Sequence, residues 1–158
     1  MLRQRVWDEF RRLREMGRTL VVTTQYVGEA EYCDTVAVLA HGRLIALAPP
    51  DELRRMALGG EVFEIETAQA FDGSSLTHLP GIRDVKQSGA HRFLVIADDA
   101  GAATPRVLNE LSAAGVEVLS SSEYRPSFDE VFSELVSQFD QSVERSDESY
   151  RGPTARAA

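Results

Sequence analysis

Lysine is almost missing from this chain of 158 residues: Lys86 is the single one among 17 basic side chains. A phosphate-binding loop of the form GxxxxGK[ST] needs a lysine followed by Ser or Thr, and Lys86 is followed by Gln87, which excludes such a loop within the sequence. Cysteine is equally scarce. Cys33 stands alone, so no disulfide closes within the chain, which suits a reducing compartment and predicts a cytoplasmic protein. Aromatic residues make up only 8%, and 25 acidic residues outnumber the basic ones for a net charge of -8, which disfavours a nucleic-acid partner. No apolar run approaches the roughly 20 residues that cross a bilayer, and residues 1–17 are amphipathic and crowded with Arg, unlike a signal peptide. Membrane association is therefore expected only through a partner.

What is present suffices for packed cores, with 43% hydrophobic residues in a length that fits one ordinary domain or two small ones. Charge divides the chain. Residues 1–60 carry 9 Arg against 8 carboxylates, whereas residues 61–158 carry 8 basic groups against 17 carboxylates, which points to two parts with different jobs.

Leu2, Val6, Phe10 and Leu13 fall on one stripe at helical spacing, and Gly17 ends that helix. TLVVTT, residues 19–24, is apolar and β-branched without polar alternation, the pattern of a strand buried on both faces of a parallel sheet. YVGEAEYC (26–33) is a short helical candidate. DTVAVLAHGRLIALA reads as strand, turn at His41-Gly42 and strand, a hairpin. Pro49, Pro50 and Asp51 open a short helix, PDELRRMA, because proline and acidic residues suit a first helical turn; Gly59-Gly60 ends it and marks a domain boundary.

Beyond Gly60 the order changes to strand EVFEIET, a helical stretch within 68–79, strand IRDVKQ, turn SGA, strand RFLVIA, helix TPRVLNELSAAG and strand VEVLSS. This βαββαβ order is a split βαβ, ferredoxin-like plan. A helix from Ser127 to about Phe139 follows, with SFDE as a capping box in which Ser127 is the N-cap and Glu130 stands three residues on. Phe128, Val131, Phe132 and Leu135 form its apolar stripe, expected to pack on the small sheet, with a partner subunit as the alternative. The remaining residues are polar and are expected to form a disordered tail.

Residues 17–55, GRTLVVTTQYVGEAEYCDTVAVLAHGRLIALAPPDELRR, resemble the segment that follows the D-loop in ABC-transporter ATPases: a strand like TLVVTT, an EAE.CD helix, a strand, a hairpin at HGR and a P-x-EL helix, in that order. R-x-x-x-W within Arg3 to Trp7 resembles the helix just after the D-loop. RPSFDEVFSELV, 125–136, is similar to the end of the small C-terminal domain of ATPases serving drug-resistance and other ABC-2-type exporters. The resemblance covers roughly residues 1–137 and implies that the chain starts downstream of the Walker A, signature and Walker B motifs.

It also implies a role for Gln25. The family commonly has His at the end of the TT strand, the H-switch position, whereas subunits resembling the daunorubicin-exporter group often read TTQY, as here. The carboxyl end of a parallel strand is where open α/β sheets meet ligands, so Gln25 would face the γ-phosphate of ATP in a complete subunit. Its amide can donate to a phosphate oxygen but cannot change protonation near neutral pH, so it is not expected to shuttle a proton.

Other candidates weigh less. His41, His78 and His91 lack ligand spacing, so no metal is expected, with His41 a turn residue. Asp98-Asp99 is read as a loop or helix cap before Ala100-Gly101. Glu29, Glu31 and Asp34 are assigned support and capping near the H-switch, not catalysis.

The expectation is an α/β chain in which residues 1–59 are the C-terminal segment of an ABC ATPase nucleotide-binding domain, an incomplete P-loop NTPase. Residues 60–138 are a small ferredoxin-like α+β accessory domain and 139–158 a disordered tail. The implied parent function is ATP-driven efflux of a small molecule, drug or antibiotic. ATP and Mg²⁺ belong to the complete family member and are not expected to bind this chain tightly, nor is the chain alone expected to hydrolyse ATP. The implied partners are an ABC-2-type membrane permease and a second ATP-binding subunit, placing the protein in the cytoplasm against the inner face of the cell membrane. The competing readings are a non-catalytic dimerisation or regulatory module and a truncated reading frame.

Overall fold

His41 and Gly42 both have positive φ, 50° and 73°, the conformation that a two-residue type I′ turn requires. They join β1 (Val36–Ala40) to β2 (Arg43–Ala48) in the antiparallel hairpin that the sequence predicts. The structure, a computed structural model, describes residues 2–150. Before the hairpin come α1 (Leu2–Glu15) and a 3-10 helix (Val27–Tyr32). At the end of α1, Arg18 N–H donates to the Leu13 carbonyl and Gly17 N–H to that of Arg14, the paired bonds of a Schellman stop.

Residues 19–24 depart from expectation. They form no strand, and Val21 is 91% exposed. A parallel strand buried on both faces needs a ladder partner on each side, and the described residues supply none; every strand pair here is antiparallel.

After β2, α2 (Pro50–Leu58) starts with Pro at its first position and stops at Gly59, which takes the left-handed conformation at φ 78°. Next follow β3 (Glu61–Thr67), a second 3-10 helix (Gly73–His78), β4 (Ile82–Gln87), β5 (Arg92–Ala97), α3 (Ala100–Ala113) and β6 (Val118–Glu123). The four strands form one antiparallel sheet in the order β4-β5-β3-β6, so β5 lies between β3 and β4, and β3 lies between β5 and β6. The fold is thus mixed α and β with two small antiparallel sheets. The helix in the first crossover is reduced to one 3-10 segment. The second begins four residues earlier than Thr104, because the Asp99 side chain accepts from Ala102 N–H at 2.9 Å and caps it there.

Alternation along β3 and β5 turns Phe63, Ile65, Phe93, Val95 and Ala97 to one face, where Ala103, Val107 and Leu111 of α3 and Leu76 of the 3-10 helix cover them. A second core holds Val38, Ala46 and Ala48 of the hairpin, Leu53 and Ala57 of α2, and Phe128, Val131 and Leu135 of the last helix, α4 (Phe128–Tyr150). The apolar stripe of α4 therefore does not pack on the small sheet, as expected from sequence, but returns to the hairpin and α2. Phe132, counted in that stripe, is 36% exposed. Gln138 reinforces the seat by donating to the Ala57 carbonyl at 2.8 Å, near the open end of α2. The last helix among the described residues thus packs back across Gly59-Gly60.

The expected capping box is formed: Ser127 N–H donates to Glu130 Oε2 at 2.8 Å, and Glu130 N–H to Ser127 Oγ at 3.3 Å. The helix continues through residues 140–150, which the sequence assigned to a disordered tail. Extending a helix already nucleated by packed turns costs little per residue, and Arg145 Nε bonds back to the Gln141 carbonyl within it. The rest of that tail, 151–158, lies outside the described residues.

Candidate functional site

Gln25 sits in a bend between the unpaired segment 19–24 and the first 3-10 helix, and is exposed. Tyr26 N–H donates to Thr24 Oγ1 at 3.0 Å, which bends the chain around it. The segment that follows is held by two helices, α1 and α2. Arg3 of α1 pairs with Glu29 at 3.1 Å and lies 4.0 Å from the centroid of the Tyr26 ring. Trp7 packs on Tyr32 with ring centroids 5.1 Å apart, and Arg14 pairs with Asp34 at 2.7 Å. Glu31 pairs with Arg54 of α2. The three acidic residues expected to support this region do so, by ion pairs rather than by capping a helix end.

Arg54 is the residue that sequence reading missed. It is 8% exposed, and each arm of its guanidinium is used: Nε donates to the Pro126 carbonyl at 3.3 Å, Nη1 to Asp51 at 2.9 Å and Nη2 to Glu31. Its carbon lies 4.5 Å from the centroid of Phe128, closing the remaining face. The clue was available, since Leu53, Arg54 and Ala57 share the buried face of α2, and an Arg in that position demands partners. Those partners come from distant segments, which no local pattern reveals.

Around it lies a polar junction. Arg125 donates to Asp51 at 2.6 Å, and this bond first, then the charges of Arg125 and Arg54, holds the Asp51 carboxyl below its usual range. Glu130 is held low by its hydrogen bonds to Ser127 and by that from Tyr124 Oη at 3.0 Å. Tyr124 is pushed up, by burial first and then by Glu130.

An open cleft of about 610 Å³ adjoins this junction, between α2, β6 and the start of α3. Much of its charged lining is already paired: Arg125 binds Asp51, while Glu61 pairs with Arg55 at 3.7 Å and accepts from Ala100 N–H at 3.0 Å. The remaining sequence candidates stay apart from Gln25. His41 stacks on Phe139 and meets Asp140 at 3.2 Å. Asp98 pairs with Arg83, and Asp99 caps α3 as expected.

The residues do not fit a Mg-ATP site by themselves. Gln25 offers one amide, and among the described residues no cluster of His, Cys, Asp and Glu is arranged to hold a metal ion. What the arrangement does provide is a 3-10 helix, tied to α1 and α2, directly after an exposed amide.

Residues 49–136 match the family described as ATP-binding protein DrrA1-3-like, C-terminal domain. The chain belongs to this family. It is 35% identical over 135 residues to the daunorubicin/doxorubicin resistance ATP-binding protein DrrA of Streptomyces peucetius, covering 82% of the chain and 40% of that protein. The Nod factor export ATP-binding protein I of Rhizobium sp. (strain N33) is 33% identical over 135 residues, 84% of the chain and 41% of that protein. A probable multidrug ABC transporter ATP-binding protein of Escherichia coli, YbhF, is 35% identical over 71 residues, 45% of the chain and 12% of that protein. The resemblance to ATP-binding proteins of the drug-exporter branch is borne out. The chain spans about two-fifths of the length of DrrA and the Nod factor protein. Family membership places the Arg54 junction, α2 and the start of α4 inside the matched domain and Gln25 outside it. Among the described residues no helix is long and apolar enough to cross a membrane.

Proposed function

We propose that this chain forms the C-terminal part of the ATP-binding subunit of an ABC-2-type exporter, coupling ATP binding and hydrolysis to efflux of a small molecule such as a drug or antibiotic. The observation that carries the reading is the 135-residue likeness to DrrA, which extends beyond the matched domain. In this reading the complete subunit holds ATP and Mg²⁺ elsewhere, and Gln25 donates its side-chain amide to the γ-phosphate. Its exposure and the anchoring of the 3-10 helix after it by α1 and α2 support that role. A membrane permease and a second ATP-binding subunit complete the assembly at the inner face of the membrane. The interleaved strand order β4-β5-β3-β6 supports a ferredoxin-like reading of the small sheet.

The test is a chimera in which this chain replaces the corresponding region of the Streptomyces peucetius DrrA. Retained doxorubicin resistance in cells and retained ATP turnover in the purified chimera are expected. Gln25→Ala should then lower turnover roughly tenfold or more, since a donor aimed at developing charge is lost. A folded chimera without resistance would refute the exporter reading, and unchanged turnover in Gln25→Ala would refute the γ-phosphate contact.

A further inference from the structure

We propose that Arg54 is a positioning residue for Gln25, relaying the seat of α4 to the 3-10 helix that follows Gln25. Two groups of contacts carry this. On one side, Arg54 holds the first turn of α4 through the Pro126 carbonyl and the face of Phe128. On the other, it holds Glu31, in the 3-10 helix Val27–Tyr32 that begins two residues after Gln25. Asp51 fixes the third arm from within α2, so the guanidinium cannot swing to follow one partner without losing another. Val27 and Ala30 also lean on the core that contains Phe128, Val131 and Leu135, so the 3-10 helix rests directly on the elements that Arg54 ties together.

The consequence is directional. β6 is an edge strand of the small sheet, and only Tyr124, Arg125, Pro126 and Ser127 separate it from α4. A displacement of the sheet relative to α2 must pull on Pro126 and Phe128, and through Arg54 on Glu31. The small sheet thereby sets where the Gln25 amide points. Lysine in place of Arg54 would not serve, because a single ammonium cannot present a planar fork to three partners and a ring.

This inference rests on the γ-phosphate reading of Gln25 for its functional meaning, but its test contains no nucleotide, so either can fail alone. The measurement is a ¹H–¹⁵N correlation spectrum of the full chain. Ser127→Ala alters an exposed residue and unties the cap of α4; Glu130→Ala, which removes the acceptor for Ser127 N–H, loosens the same turn by a second route. Either change is expected to move the backbone amides of Val27–Cys33 and the side-chain amide of Gln25, while the distant β4–β5 hairpin stays in place. In the Glu31→Ala background the same changes should no longer move those signals, and Glu31→Gln, which keeps an acceptor oxygen, should restore the response. Thermal melts of every variant verify that the chain remains folded. Undisturbed Gln25 and Val27–Cys33 signals in both cap variants would overturn the proposal. Persistence of the response in Glu31→Ala would also overturn it, assigning the coupling to apolar packing in place of Arg54.

Discussion

The Arg54 guanidinium carbon lies over the Phe128 ring, 4.5 Å from its centroid, although 74 positions separate the two in sequence. This contact joins α2 to the start of α4, whose Phe128, Val131 and Leu135 share a core with the hairpin and α2. It also decides how substitutions in α4 behave, because it fixes which face of the helix is inward.

Val131→Asp should unfold the region around α2, whereas Phe132→Asp should be tolerated. Val131 is almost wholly buried, so an unpaired carboxylate there loses its hydration without a partner; Phe132 is partly open to water. Urea titration should show a loss of several kcal/mol for Val131→Asp, of the size typical when a buried charge is introduced. For Phe132→Asp the loss should stay within about 1 kcal/mol. Equal losses would place Phe132 in the core that the sequence stripe suggested.

Truncating Phe128 to Ala is expected to cost about 3–5 kcal/mol, the range for removing a buried aromatic side chain. It also uncovers a buried guanidinium. A double-mutant cycle with Arg54→Met should show non-additivity, since the two residues share a contact. Additive losses would mean that ring and guanidinium act independently.

These features differ in how far they could be read from sequence, and the difference is physical. The His41-Gly42 turn, the stop at Gly59 and the Ser127-Glu130 box are set by neighbours within a few residues, so local chemistry suffices. The stripe of α4 named three of the buried residues, Phe128, Val131 and Leu135, but also Phe132, and not what buries them, because helical spacing carries no information about the partner surface. TLVVTT misled in the opposite sense. Its composition reports a strand flanked on both sides, yet residues 19–24 find no partner among the described residues and stay open. Gln25 itself was singled out by resemblance, while its mount depends on Arg3, Trp7 and Arg54, which only the fold brings together.

Stability should fall in acid through the α2–α4 junction. Asp51 and Glu130 both have depressed carboxyl pKa values in the folded chain, Asp51 chiefly through Arg125 and Glu130 chiefly through Ser127. A depressed carboxyl contributes stability above its unfolded pKa of about 4 and loses it as the pH falls through the folded value. Melting temperature should therefore be nearly flat from about pH 7 to pH 5 and drop below about pH 4. Asp51→Asn should melt lower near neutrality and show a shallower acid limb. An acid limb of unchanged slope in that variant would show that Asp51 is not among the groups responsible.

The position of α4 also changes what a truncation must retain. The sequence predicts that residues 60–138 are a self-sufficient unit, since four strands and two helices complete a sheet with one covered face. In the structure the covering is done by α3 and the 3-10 helix Gly73–His78, and the core of the sheet is already closed by Leu76, Val107 and Leu111. α4 contributes nothing to it. Cutting at residue 60 removes Val38, Ala46, Leu53 and Ala57 and leaves Phe128, Val131 and Leu135 facing water. Each of those side chains gains about 1.5–3 kcal/mol from burial, so α4 loses the source of its order when its seat is deleted. A piece spanning 60–124 should melt cooperatively, and extension to 138 should add no stability, with residues 128–138 cut rapidly by protease. A piece spanning 36–138 restores the hairpin and α2, and there the same residues should become resistant. Protection of α4 in 60–138 in a proven monomer would show that it finds a seat on the small sheet after all.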